Sequence, residues 1–160
     1  MKRAPLLLAG LIVAATSTAA AGVAATASGA GGATRAQESR AAKIGLRHTE
    51  VGKVLVDSSG FTLYRFSKDP RNSDTCVKIS GCTNLWPPLM SSGRPLAGPG
   101  VRAALLSTIK LPGGGRQVTY AGHPLYRYSA ATEKGETAYV GAQQFGGSWY
   151  ALNSAGGSVK

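Results

Sequence analysis

The chain reads as an all-β protein, two tandem β-meander repeats that make one sandwich- or barrel-like domain. Three observations carry this reading. Leu63-Tyr64-Arg65-Phe66-Ser67 returns 62 residues later as Leu125-Tyr126-Arg127-Tyr128-Ser129. Laid over each other without a gap, 43–69 and 105–131 also agree at Gly52/Gly114, Val56/Val118 and Gly60/Gly122, and Trp86 answers Trp149 with a one-residue slip. Turn residues divide both stretches at short intervals, and no long amphipathic helical pattern interrupts them.

In the first unit, 43–49 is an extended segment ending in a turn around 50–52. The β-branched stretch 53–56 follows as a short strand. Asp57-Ser58-Ser59-Gly60 is a turn by composition, because Asp and Ser bond nearby backbone and Gly tolerates positive φ. The strand 61–66 then completes the meander. In the second unit, 105–111 precedes the break Pro112-Gly113-Gly114-Gly115. Strand 116–120, the Ala121-Gly122 turn and strand 123–128 complete it. Segment 101–106 suits one helical turn.

Along the repeated word, side chains alternate between two faces. Tyr64 and Phe66, like Tyr126 and Tyr128, share the face expected to point inward. Leu and Arg share the other, where Leu is expected to be partly covered and the Arg stem to lie along the surface. The aromatics are read as core, ahead of a ligand-stacking platform. Trp86 and Trp149 are read as equivalent core plugs, and Pro87-Pro88 as an extended exit from the first.

Repeat one is placed at 43–90 and repeat two at 105–153, within a domain at 43–153. Residues 1–29 have the pattern of an export signal, with Lys2 and Arg3 before a short apolar run and small residues beyond. An uncleaved anchor is the alternative reading. Residues 30–42 read as a flexible linker, and 154–160 as a disordered Gly/Ser tail. The expected location is therefore secreted or cell envelope.

Cys76 and Cys82 are the chain's two cysteines. In an oxidising compartment a close pair is expected to form a disulfide, with free thiols as the alternative. The net charge is +11, and loss of Lys2 and Arg3 with the signal would lower it to +9. Such a charge draws an exported domain to anionic surfaces, although no run of four basic residues appears. Anionic envelope polymers or an envelope protein are the expected partners. Nucleic acid is not expected, since the basic residues do not cluster with aromatics in a binding module. Membrane contact is expected only through an uncleaved signal segment.

No catalytic constellation emerges, and a non-enzyme is expected. The seven acids include Asp69 and Asp74 flanking the cysteine loop, where turn capping is the simpler role. His48 and His123 occupy non-equivalent places in the repeats. No metal site and no cofactor are assigned. The rival functional reading is a metal- or redox-linked accessory protein using the Cys76/Cys82 loop and the histidines.

The words around Gly60–Asp69, the cysteine pair, Trp86-Pro87-Pro88-Leu89, the 117–126 stretch and Gly147-Ser148-Trp149-Tyr150 together resemble a bacterial secreted-repeat family that includes predicted lipoproteins. Its motif is Tyr-x-(Phe/Trp/Tyr)-x-x-Asp, matched by Tyr64, Phe66 and Asp69, and by Tyr126 and Tyr128 in the second unit. The resemblance implies a two-repeat, export-directed envelope protein of unknown biochemical role, and brings no catalytic residues. Two departures stand out. No cysteine precedes Cys76, so a lipid anchor just after the signal is not expected. Ala131 stands where the second unit would carry the motif acid. The function expected is that of a noncatalytic binding or structural module with a cationic surface.

Overall fold

The computed structural model describes residues 41–160. The expected signal segment 1–29 and most of the expected linker 30–42 lie outside the described residues. Among the described residues nine short strands form three three-stranded sheets, and no sheet closes into a barrel. Helix is confined to single turns at Cys76–Lys78, Cys82–Leu85 and Ala103–Leu105.

Strands β1 (Lys43–Thr49) and β2 (Gly52–Val56) pair antiparallel, and β4 (Leu96–Ala97) adds in parallel to β1. Strands β5 (Leu106–Lys110), β6 (Arg116–Tyr120) and β7 (His123–Pro124) form a meander. Strand β3 (Tyr64–Phe66) pairs with β9 (Gly147–Ala151), which also pairs with β8 (Gln143–Gln144). The second unit is thus the three-stranded meander expected. In the first unit the third strand leaves β2 after the Val56–Thr62 bridge and turns to β9.

The two units match with two compensating shifts. Leu55 N–H donates to Leu152 and Leu55 C=O accepts from Leu63 N–H. Val118 makes the corresponding bonds to Leu89 and Leu125. Leu55 and Val118 are therefore equivalent, which corrects the ungapped pairing of Val56 with Val118. Turn geometry explains it. The first hairpin of repeat two holds one extra residue, for Leu111 pairs with Gly115 across three residues, whereas Thr49 pairs with Gly52 across two. The second hairpin loses one: Tyr120 pairs with His123 around Ala121 (φ 50°) and Gly122 (φ 78°), a two-residue turn with both centres left-handed. The counterpart loop, from Asp57 to Phe61, has three residues between its ends. A one-residue slip in a strand exchanges its faces. Accordingly Val118 packs with Leu55 in one core cluster while Val56 packs in the other.

The repeats also exchange strands. The segment after Trp86 pairs with repeat two: Arg127 N–H donates to Pro87 C=O at 3.0 Å and Ser129 N–H to Leu85 C=O at 2.9 Å. The segment at Trp149 pairs with repeat one, placing Phe66, Arg65 and Tyr64 opposite Trp149, Tyr150 and Ala151. Between the two lies a dyad. Tyr64 and Tyr126, the same residue of each repeat, bond reciprocally through backbone N–H and C=O at 2.9 Å.

Two cores result. One is aliphatic, built on Ile44, Leu55, Leu63, Leu106, Val118, Leu125 and Leu152 with Tyr120. The other holds Tyr64, Phe66, Trp86, Tyr126 and Trp149 with the cysteine pair. The aromatic face is inward as read. Leu63 and Leu125, expected to be only partly covered, are fully buried, because each face of the doubled word has its own core. The tail 154–160 is not a loose end. It turns back so that Leu152 bridges Ser158 and Val159 N–H bonds Ala151 C=O.

Candidate functional site: an aromatic column between two unlike clefts

Along the dyad the motif aromatics form one column. Trp86 and Trp149 stack face to face, 3.9 Å between centroids and 2° from parallel. Phe66 stacks on the outer face of Trp149 at 4.4 Å, and Tyr128, its counterpart, covers Trp86 at 4.8 Å. Tyr139 extends the column beyond Tyr128. Tyr64 meets Trp86 edge-on at 5.2 Å, and Tyr126 meets Trp149 edge-on at 5.1 Å. The two tryptophans thus plug one shared core by stacking on each other. Both are wholly buried, so their faces do not serve as a ligand platform.

Polar contacts break the symmetry. Trp86 Nε1–H donates to Gln144 Oε1 at 2.6 Å, whereas Trp149 Nε1 is buried without a partner. Tyr126 Oη–H donates to Asp69 Oδ2 at 2.7 Å, and Thr75 N–H donates to Asp69 Oδ1 at 2.7 Å. Burial pushes the Asp69 carboxyl up to about 6 against these two favourable bonds, and Asp74 adds to the rise. Burial also lifts Tyr126 above the ordinary phenol range, helped by the Asp69 carboxylate. The motif acid of one repeat therefore holds the motif tyrosine of the other. With Ala131 in the second copy, Tyr64 instead donates to Glu136 C=O at 3.0 Å. Asp74 Oδ1 accepts from Val77 N–H at 2.9 Å. Both acids beside the cysteine loop thus brace local turns.

Cys76 and Cys82 form a disulfide, with Cα atoms 5.4 Å apart and both residues fully buried in the aromatic core. Their sulfurs are bonded to each other and are not thiolate ligands. Among the described residues no group of three or more His, Cys, Asp or Glu is placed to hold a metal ion. His48 lies on β1 opposite Lys53, while His123 approaches Arg65. The alternative that joined the cysteine loop to both histidines finds no common centre.

Outside the column, one cleft and the residues that the dyad relates to it differ in chemistry. The cleft, of about 340 Å³, is lined by Phe61, Pro87, Arg127, Tyr128, Ser129 and Ala131. Its arginine is neutralised, Arg127 Nη1 lying 3.4 Å from Asp57 Oδ2. Asp57 is itself fixed, its Oδ1 accepting from the N–H groups of Ser59 and Phe61. At the dyad-related positions Arg65, His123 and Tyr150 stand in place of Arg127, Phe61 and Pro87, and Asp69, held by Tyr126 and Thr75, in place of Ala131. The equivalent of Asp57 is Tyr120, whose hydroxyl accepts from Arg102 N–H and donates to Ser154 C=O. Arg65 therefore lacks the carboxylate that its twin has. It donates through Nε to Ser158 Oγ at 2.7 Å, stands 3.5 Å from His123 Nδ1, and lies 5.8 Å over the Tyr150 ring. The sequence offered His123 only as part of a metal- or redox-linked reading and Arg65 as a surface arginine, because the missing partner shows only once register pairs Asp57 with Tyr120.

No curated protein and no solved structure matches the chain. A family model described as a secreted repeat of unknown function matches twice, over residues 45–90 and 107–153, together more than half of the chain. The two matched segments are the two units whose strands exchange across the dyad, and the chain belongs to the Lipoprotein_15 family of secreted repeats.

Proposed function

We propose that the protein is a noncatalytic binding module of the cell envelope whose cationic surface contacts anionic envelope polymers. One observation carries the reading: the positive charge is scarcely compensated by ion pairing. Among the described residues the one ion pair is Arg127–Asp57, while Asp69 and Asp74 are buried in hydrogen bonds to Thr75, Tyr126 and Val77. Arg65 and Arg116 bond uncharged hydroxyls of Ser158 and Thr108. A groove of about 390 Å³ lined by Arg94, Pro95, Ser107, Thr108 and Arg116 adds a second basic concavity. The disulfide and the family's description as a secreted repeat support an extracytoplasmic setting. Co-sedimentation with purified wall and membrane fractions across a salt series tests the proposal. Binding should weaken steadily as salt rises. Absence of binding to every fraction at low salt would remove the reading.

A further inference from the structure

The two arginines of the repeated word, Arg65 and Arg127, are related by the dyad but have unlike surroundings. At one position Arg127 is held by Asp57. At the other position Arg65 makes no ion pair among the described residues and is joined by two further nitrogen-bearing side chains. His123 Nδ1 lies 3.5 Å from Arg65 Nη1. The Arg71 guanidinium lies over Gly122, so close that a Cβ on that glycine would come within 2.9 Å of Nη2. Arg71 is carried there by the turn that follows Asp69, anchored where Asn72 N–H donates to Gly122 C=O at 2.7 Å. Ser158 Oγ, from the folded-back tail, accepts from Arg65 Nε at 2.7 Å. These side chains come from four segments of the chain: β3, the 70–73 turn, β7 and the tail.

Such an arrangement is electrostatically unfavourable in isolation. Two guanidinium groups stay charged at every accessible pH. Burial, then Arg65 and Arg71, hold His123 below its ordinary imidazole range. An anion placed among these groups relieves their mutual repulsion and accepts from all of them. Two planar guanidinium forks beside one imidazole offer several donors, which suits a tetrahedral oxyanion with several acceptor oxygens better than a planar carboxylate.

We propose that Arg65, Arg71 and His123, completed by Ser158, form a binding site for a phosphate-ester oxyanion. The site deepens the envelope-binding reading and rests on it for the ligand's source, though not for its chemistry. Tyr150, beneath Arg65, and Gly122, which leaves room for Arg71, are its structural supports. The pseudo-equivalent Arg127 serves as an internal contrast, since Asp57 already occupies its charge.

The chain has two histidines, so histidine-labelled protein shows two sets of ring signals by NMR, with His48 as control. Titration with inorganic phosphate should shift the His123 ring signals saturably and raise the pH at which that ring protonates, because the imidazolium gains an anionic partner. His48 should move little. Arg65→Gln and Arg71→Gln should each weaken the phosphate affinity by about tenfold, the scale of a lost charge-assisted hydrogen bond. Arg127→Gln should leave it within about twofold, as expected for an arginine already paired at the surface. Arg71 is exposed, so its variant remains informative should Arg65→Gln disturb folding. Equal shifts at both histidines, or equal losses for Arg65→Gln and Arg127→Gln, would overturn the site in favour of diffuse charge.

A soluble poly(glycerol phosphate) and phosphatidylglycerol vesicles share the ester chemistry. Whichever displaces phosphate from His123 identifies the source, and displacement by neither overturns the ester assignment. The two readings also fail separately. If the double variant Arg65→Gln/Arg71→Gln binds the wall fraction as wild type does, the site is wrong while the module stands. If phosphate engages His123 but no fraction binds, the site stands and the module is wrong.

Discussion

Asp69 is a buried carboxyl in a cysteine-braced loop, and its titration should be written into the stability of the whole domain. It is 7% exposed, accepts from Thr75 N–H and Tyr126 Oη–H, and has its pKa moved from 3.8 to about 6. Burial is the largest cause. Because the folded-state pKa lies above the unfolded one, the folded protein binds more protons between these values. Asp69 therefore favours folding most below about pH 4, and that advantage is lost as pH rises through about 6. A shift of roughly two units corresponds to about 3 kcal/mol. Asp69→Asn keeps an oxygen for Thr75 N–H and places an amide against the Tyr126 oxygen, but cannot ionise. Urea unfolding followed by tryptophan fluorescence, at intervals from about pH 3.5 to 7.5, gives the difference in stability between wild type and variant. Wild type should lose about 3 kcal/mol relative to Asp69→Asn across that window, with a slope no steeper than about 1.4 kcal/mol per pH unit. His123 titrates nearby with the opposite sign, since its pKa is lowered on folding, but it is common to both proteins and cancels. A flat difference, or one in which wild type gains on the variant as pH rises, would refute the reasoning.

The two stacked tryptophans should respond differently to loss of the indole N–H. Trp86→Phe strands Gln144 Oε1, whereas Trp149→Phe removes an N–H that has no partner, so the first should cost about 1–2 kcal/mol more in denaturant titrations. Joint replacement of Cys76 and Cys82 by serine should lower stability by about 2 kcal/mol through loop entropy alone, measurable as a fall in urea midpoint. Either repeat expressed alone, 41–104 or 105–160, should show no dispersed amide spectrum, because each lacks the exchanged strand and half of the aromatic column. Folding of either half by itself would contradict the exchanged pairing.

Much of the architecture was legible in the chain. The doubled Leu-Tyr-Arg word, the alternation within it and the turn residues around it specify strands, an inward aromatic face and two units. These signals are local: side-chain periodicity and backbone preference act over a few residues, so adjacent letters carry them. The cysteine spacing and the paired tryptophans were legible for the same reason. What the tertiary structure alone decided is which segments meet. It decided that β9 lies on β3 and the Pro87-Pro88 segment on repeat two, that Trp86 stacks on Trp149, and that the tail 154–160 closes over Arg65. It also decided that Leu55 and not Val56 answers Val118, because two turns of different length shift the register in opposite senses. From that shift comes the exchange of Asp57 for Tyr120, and with it an arginine left without a carboxylate partner. Partners so far apart in sequence are selected by the burial of two complementary core faces, a property of the packed chain and of no single stretch of it.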